Sequence, residues 1–279
     1  PFLVGTTALG LFDVVRVIVQ VRRGVELYDT GNMRDPQMYM VSLCFLIALL
    51  IQQMGKRVNR LAAPALLVNL IGIVLHFKRG VWFAFALAAG VMGLLTRRLW
   101  IVVLIVLCAV SLLIIPQTRE RLHMLKKEWS IGQEGRYALW TQVAPSLLRE
   151  YPQGMGFGAV KHEDFLKYTR YVQPKLNHLH NNVLQVAVEL GWAGLAVWMF
   201  WMSVALWMLY SAYDRARVGH DLMAWVALGA FGAFCGLMFD GMVEYNFGDS
   251  EILMLICYLM GLTSILWERQ LDMERAGGS

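Results

Sequence analysis

His178 and His180 flank Leu179 in the run Asn177-His178-Leu179-His180-Asn181-Asn182, where a long apolar stretch begins. Imidazole titrates near neutrality, so either ring can take a proton from a hydroxyl as that hydroxyl attacks an electrophile. At a membrane mouth the same ring would meet both a lipid-linked donor and its acceptor. An interfacial hydrogen bond is the plainer use of each ring, as helix capping is of Asn177 and Asn181. Two histidines two residues apart with no third donor nearby make a poor metal site, and no metal is expected.

Groups suited to an anion stand elsewhere in the chain. Lys78-Arg79-Gly80 joins two apolar runs with almost no loop. A guanidinium fixed there offers a planar fork of donors to a phosphate, or else snorkels to lipid headgroups. Arg136, in Gly135-Arg136-Tyr137 with Trp140 following, either makes a second phosphate contact or pairs with Glu134 or Glu150. In Gly154-Met155-Gly156-Phe157-Gly158, glycine at every second position permits positive φ and close backbone approach. Such a loop can present amides to an anion, but it is neither a Walker loop nor a dinucleotide fingerprint. Glu189, Asp240 and Glu244 are acidic groups within or at the ends of apolar runs, where charge is costly and functional by default. Glu189 has a second reading, as a brace for helix packing near Gly191 and Gly194.

The elements that must hold these groups are membrane helices. Of the 279 residues, 58% are hydrophobic and only 16% charged, which excludes an ordinary soluble enzyme. Six apolar runs are long enough to cross a bilayer, at about 38–54, 61–77, 80–96, 99–116, 180–210 and 222–243, and 250–267 adds a seventh. Residues 1–21 are apolar enough for an eighth, but Asp13 and Arg16 interrupt them, which leaves a broken or interfacial helix open. The four cysteines lie within apolar runs and read as small packing side chains. The net charge of +5 belongs to loops, and nucleic acid is not an expected partner.

Lys56, Arg57 and Arg60, then Arg97 and Arg98, then Arg215 and Arg217, and last Arg269 and Arg275 fall on one face when crossings alternate. The positive-inside rule makes that face cytoplasmic. The candidate chemistry falls on the opposite face, together with the segment 117–178. That segment holds ten Lys and Arg against six Asp and Glu and is rich in aromatics, enough to pack a small cap. A basic, aromatic cap suits an anionic substrate carrying sugars or lipid. The expected organisation is 1–116 as N-terminal transmembrane helices, 117–178 as an extracytoplasmic loop with short amphipathic helices, 179–267 as C-terminal transmembrane helices and 268–279 as a cytoplasmic tail.

Taken in order, Lys78-Arg79-Gly80, Gly135-Arg136 with Trp140, the three alternating glycines, His178-x-His180-Asn181 with Leu184, Glu189-x-Gly191 and Glu244-Tyr-Asn-Phe-Gly-Asp249 resemble the O-antigen ligase and O-antigen polymerase superfamily. The resemblance covers about residues 38–267. In the family's basic turn Ser often precedes Arg, where this chain has Lys78. Full-length members carry further N-terminal spans, so the chain reads as the C-terminal portion of one. The fold implied is an all-α, polytopic helical bundle with a long periplasmic loop, similar to other membrane glycosyltransferases of the GT-C type.

The activity implied by the resemblance is transfer of a glycan from undecaprenyl diphosphate to an acceptor hydroxyl. It would take place at the periplasmic side of the bacterial inner membrane, with inversion and with no metal or other cofactor. Arg79 and Arg136, with Lys78, would hold the diphosphate. His180, with His178 beside it, would orient or deprotonate the acceptor, and Gly154, Gly156, Gly158, Asn181, Glu189 and Glu244 would support the site. The acceptor is a lipid A core sugar in a ligase and a growing lipid-linked glycan in a polymerase, and the paired histidines favour the ligase. Protein O-oligosaccharyltransferases share the motifs. A transporter of lipid-linked glycans would use the same arginines for binding, but the sequence offers it no inverted repeat and no evident second polar site on the cytoplasmic face.

Overall fold

The computed structural model describes residues 1–25, 36–52, 55–114, 119, 136–170, 172, 176–217 and 222–277, and every regular element among them is helical. Five helices precede the long loop: α1 (Phe2–Arg22), α2 (Gln37–Gln52), α3 (Lys56–Leu75), α4 (Arg79–Thr96) and α5 (Leu99–Ile114). Within the loop, α6 (Arg136–Ala138) passes through a π turn (Leu139–Val143) into α7 (Ala144–Glu150), and α8 (His162–Leu166) follows. Three helices close the chain: α9 (Asn182–Ala216), α10 (Leu222–Asp240) and α11 (Ser250–Gly277), with a 3-10 turn at Asn246–Gly248 before the last.

Among the described residues six helices, α1, α3, α4, α9, α10 and α11, are long and apolar enough to cross a membrane. Leu67, Val103, Phe200 and Met254 stand exposed along the helices, as a lipid-facing surface requires. The chain is a polytopic helical membrane protein. Its centre is the shorter α2, which is buried along most of its length between α3, α4 and α10. Small residues let α10 approach: a Cβ at Gly229, Gly232 or Gly236 would lie 2.6, 2.3 or 2.9 Å from Phe45, Met92 or Met40.

Of the two readings left open for residues 1–21, an eighth span or a broken helix, the structure has the unbroken one. α1 is continuous, because the buried Asp13 accepts a 2.5 Å hydrogen bond from Tyr39 and pairs with Arg16 at 3.4 Å. The expected single run at 180–210 differs. Its helix starts at Asn182, continues to Ala216, and breaks inside at Gly191 (φ 69, ψ −176). α11 runs on through the expected tail to Gly277.

A second, smaller apolar core stands over the start of α9. Leu139, Val143, Leu147, Phe165, Leu179 and Val188 form it, so the loop helices and the histidine segment share one packed unit.

α2 also fixes the two ends of the bundle. Its first residue, Gln37, donates to Asp240 at the end of α10, and its last, Gln52, borders a cavity with Arg97 and Arg98. At 1.5 Å per residue those ends are about 24 Å apart.

Candidate active site

The histidine segment is held from both sides of Leu179, whose side chain is fully buried. The Trp140 indole donates to the Leu179 carbonyl at 2.7 Å, and the Leu179 amide donates to Gln185 Oε1 at 2.8 Å. Gln185 in turn donates to Glu189 at 2.7 Å, which fixes which way its amide points. Asn181 caps α9 by accepting from the Leu184 amide at 3.0 Å, and its own amide donates to the Met242 carbonyl at 2.8 Å. Between these anchors His180 adopts φ 48, a left-handed conformation uncommon outside glycine. The turn brings the His178 and His180 rings edge to face, with centroids 4.3 Å apart.

Glu244, in the connection after α10, is the group that gathers the site. Its Oε1 lies 2.8 Å from His180 Nδ1 and accepts from the Tyr245 amide at 3.3 Å, and its Oε2 accepts from Arg136 Nη2 at 3.5 Å. Burial alone would raise the Glu244 pKa, but the His180 hydrogen bond and the charges of His180 and Arg136 outweigh it and hold the carboxyl down at about 2. An ionised carboxylate at Nδ1 places the neutral imidazole's hydrogen there and leaves Nε2 as its basic nitrogen. The His178 pKa is pushed down to about 4, first by burial and then by His180. His178 Nδ1 accepts the His180 amide at 3.3 Å, so neutral His178 carries its hydrogen on Nε2.

The glycine loop meets α9 where the helix breaks. At Gly191 the α-helical pattern stops, and the carbonyls of Val188 and Glu189 find donors outside the helix. The amides of Met155 and Gly156 donate to them, each at 2.9 Å. A Cβ on Gly154 would lie 2.4 Å from the Glu189 carbonyl oxygen, so only glycine allows this approach. The loop amides expected to face an anion are therefore partly taken up by backbone; the loop buttresses the helix. Gly158, by contrast, borders a cavity of about 350 Å³ also lined by His178, Gln185, Glu189, Glu244 and Tyr245.

Residues 64–199 match the family model described as O-antigen ligase. The chain is thus similar, at a coarse level, to membrane glycan ligases and polymerases. No curated protein matches it. The stretch matched to O-antigen ligase contains Lys78, Arg79, Arg136, the three glycines, His178, His180, Asn181 and Glu189, and Glu244 comes to it from beyond its end.

Within that stretch Lys78 is exposed and Arg79, the first residue of α4, is half-buried. A Cβ on the adjoining Gly80 would sit 2.9 Å from Asp240 Oδ1 and 3.1 Å from Val243, which puts the basic pair beside the turn that carries Glu244. Lys78 and Arg79 do not line the cavity. Arg136 pairs with Glu244, not with Glu150, whose carboxylate hydrogen-bonds Tyr168. Glu134 and Gly135 lie outside the described residues.

A third donor does join the two histidines, contrary to expectation. Donor atoms of His178, His180 and Glu244 all lie within 4.8 Å of one another, a set that could gather about a metal ion. Sequence proximity did not reveal it because Glu244 is 64 residues from His180. Here the carboxylate is already paired with a guanidinium and an imidazole, an arrangement suited to moving a proton.

Four further residues shape the site without having been singled out as site residues. Gln185 sets the histidine segment; Gln37 and Asn246 both donate to Asp240, at 2.8 and 3.3 Å; and the Tyr245 ring lies 5.8 Å from that of His178. Gln37 was findable as an uncharged polar residue bordering the apolar run 38–54, and Gln185 as one inside the run 180–210.

Proposed function

We propose that the chain transfers an O-antigen-like glycan from undecaprenyl diphosphate to a lipid A core hydroxyl at the periplasmic face of the bacterial inner membrane, with no metal or cofactor. The observation that carries this reading is His180 held at Nδ1 by an ionised Glu244, with Arg136 on the same carboxylate. His180 Nε2 takes the proton of the acceptor hydroxyl as its oxygen attacks the anomeric carbon. The bond from that carbon to the diphosphate oxygen breaks, and its electron pair leaves with the diphosphate. Displacement from the opposite face inverts the anomeric centre. One Arg136 donor rests on Glu244; the guanidinium's remaining donors, with Arg79 and Lys78, stabilise the charge growing on the leaving group. His178 remains neutral near pH 7 and orients the acceptor.

The test is transfer in membrane vesicles given lipid-linked donor and lipid A core. His180→Ala, Arg136→Ala and Arg79→Ala, at matched expression, are each expected to lower the rate by about 10²-fold or more. Longer lipid-linked chains without joined product would instead make the acceptor the growing glycan. Donor movement between leaflets without any transfer would overturn the enzymatic reading.

A further inference from the structure

At the end of the bundle away from His180, a cavity of about 430 Å³ lies where the ends of α2, α4 and α9 meet the start of α5. Gln52, Thr96, Arg97, Arg98, Tyr213 and Arg217 line it, three of them guanidinium-bearing. Arg217 is paired with Asp214 at 2.9 Å. Among the described residues no carboxylate pairs with Arg97 or Arg98. Arg97 ends α4 in a left-handed turn at φ 54, and Arg98 directly precedes the first residue of α5, Leu99.

We propose that this cavity binds the phosphate of an anionic membrane phospholipid. Unpaired arginines and the amino end of a sixteen-residue helix both favour a phosphate oxygen. The flanking surface points to a lipid as the source. Leu94 and Leu99 are 77% and 78% exposed beside the arginines, and Trp100 is exposed with them, so acyl chains can lie where the headgroup is held. A basic recess between membrane helices, bordered by apolar side chains and an interfacial tryptophan, suits an anionic headgroup. The site lies at the opposite end of α2 from Glu244 and takes no part in the proposed transfer.

The test uses the full chain purified in detergent, with phosphatidylglycerol, phosphatidylcholine or inorganic phosphate added separately. Bound lipid is read by native mass spectrometry and stabilisation by thermal melting. The expected result is retained phosphatidylglycerol that raises the melting temperature, with phosphatidylcholine and inorganic phosphate giving little of either effect. In the doubly substituted Arg97→Gln, Arg98→Gln chain, retention falls about tenfold or more, as loss of two charge-assisted hydrogen bonds requires. Melting without added lipid should match the parent, which shows that the variant folds. Equal retention of phosphatidylcholine, or undiminished phosphatidylglycerol in the variant, would overturn the site. Stabilisation by inorganic phosphate alone would overturn the lipid as its source.

Discussion

Three donors from separate parts of the chain, His180, Arg136 and the Tyr245 amide, converge on the Glu244 carboxylate. Glu244→Gln keeps the shape but removes the charge that orients His180. Transfer should fall by about 10²-fold, and melting near neutral pH should fall as well, because the stabilisation that the ionised carboxylate draws from His180 and Arg136 is lost; kinetics and calorimetry together would check both. The acid limb of stability separates the two titrating groups. His178 has a folded pKa of about 4 against an ordinary 6.5, so between those values the unfolded chain binds more protons and stability falls as pH drops. Glu244 is depressed from 4.5 to about 2; its contribution is complete above 4.5 and is lost as pH falls towards 2. In melting temperature measured against pH, His178→Gln should flatten the upper window and Glu244→Gln the lower. The individual residues were legible in the sequence because histidine and acid stand out in apolar surroundings. Their pairing was not, since Arg136 and Glu244 are 108 residues apart and are joined by the packing of the loop helices over the start of α9, whose cap Asn181 is hydrogen-bonded to the turn after α10.

At the scale of elements, the break in α9 decides where the histidines stand. Gly191 occupies a conformation open essentially to glycine alone, and a Cβ there would lie 2.5 Å from the Gln153 carbonyl carbon. Gly191→Ala should therefore cost about 3 kcal/mol or more and lower transfer, because Val188 and Glu189 would lose their contacts with the glycine loop. Gly158→Ala is the contrasting case. Its φ is also positive, at 67, but nothing lies within 4 Å of the added Cβ, so about 1–2 kcal/mol is expected. Denaturation of the two variants side by side would check the difference. The spans themselves were readable because hydropathy is a local property of consecutive residues. The kink was not, because apolar residues continue on both sides of Gly191 and the partner loop is distant in sequence. The alternating glycines signalled a close approach without saying to what.

For the molecule as a whole, α2 separates a basic end from the end that carries the candidate site. Lys56, Arg57, Arg60, Arg97, Arg98, Arg215 and Arg217 all belong to helix ends or connections on the Gln52 side. Positive residues resist translocation, so the orientation we propose has this side cytoplasmic and the His178–Glu244 side periplasmic. The sidedness is a matter of chemistry as well as topology, because the proposed donor would present its glycan in the periplasm and, in that orientation, the proposed phospholipid site would face the cytoplasm. Arg57 and Lys161 are both exposed, one at each end, so cysteines there should react without disturbing the core. In a chain whose native cysteines are replaced by serine, a membrane-impermeant thiol reagent applied to intact spheroplasts should label Lys161→Cys and spare Arg57→Cys. Permeabilised cells should label both. Labelling of Arg57→Cys alone from outside would reverse the orientation and remove the candidate site from the compartment in which the proposed transfer must occur.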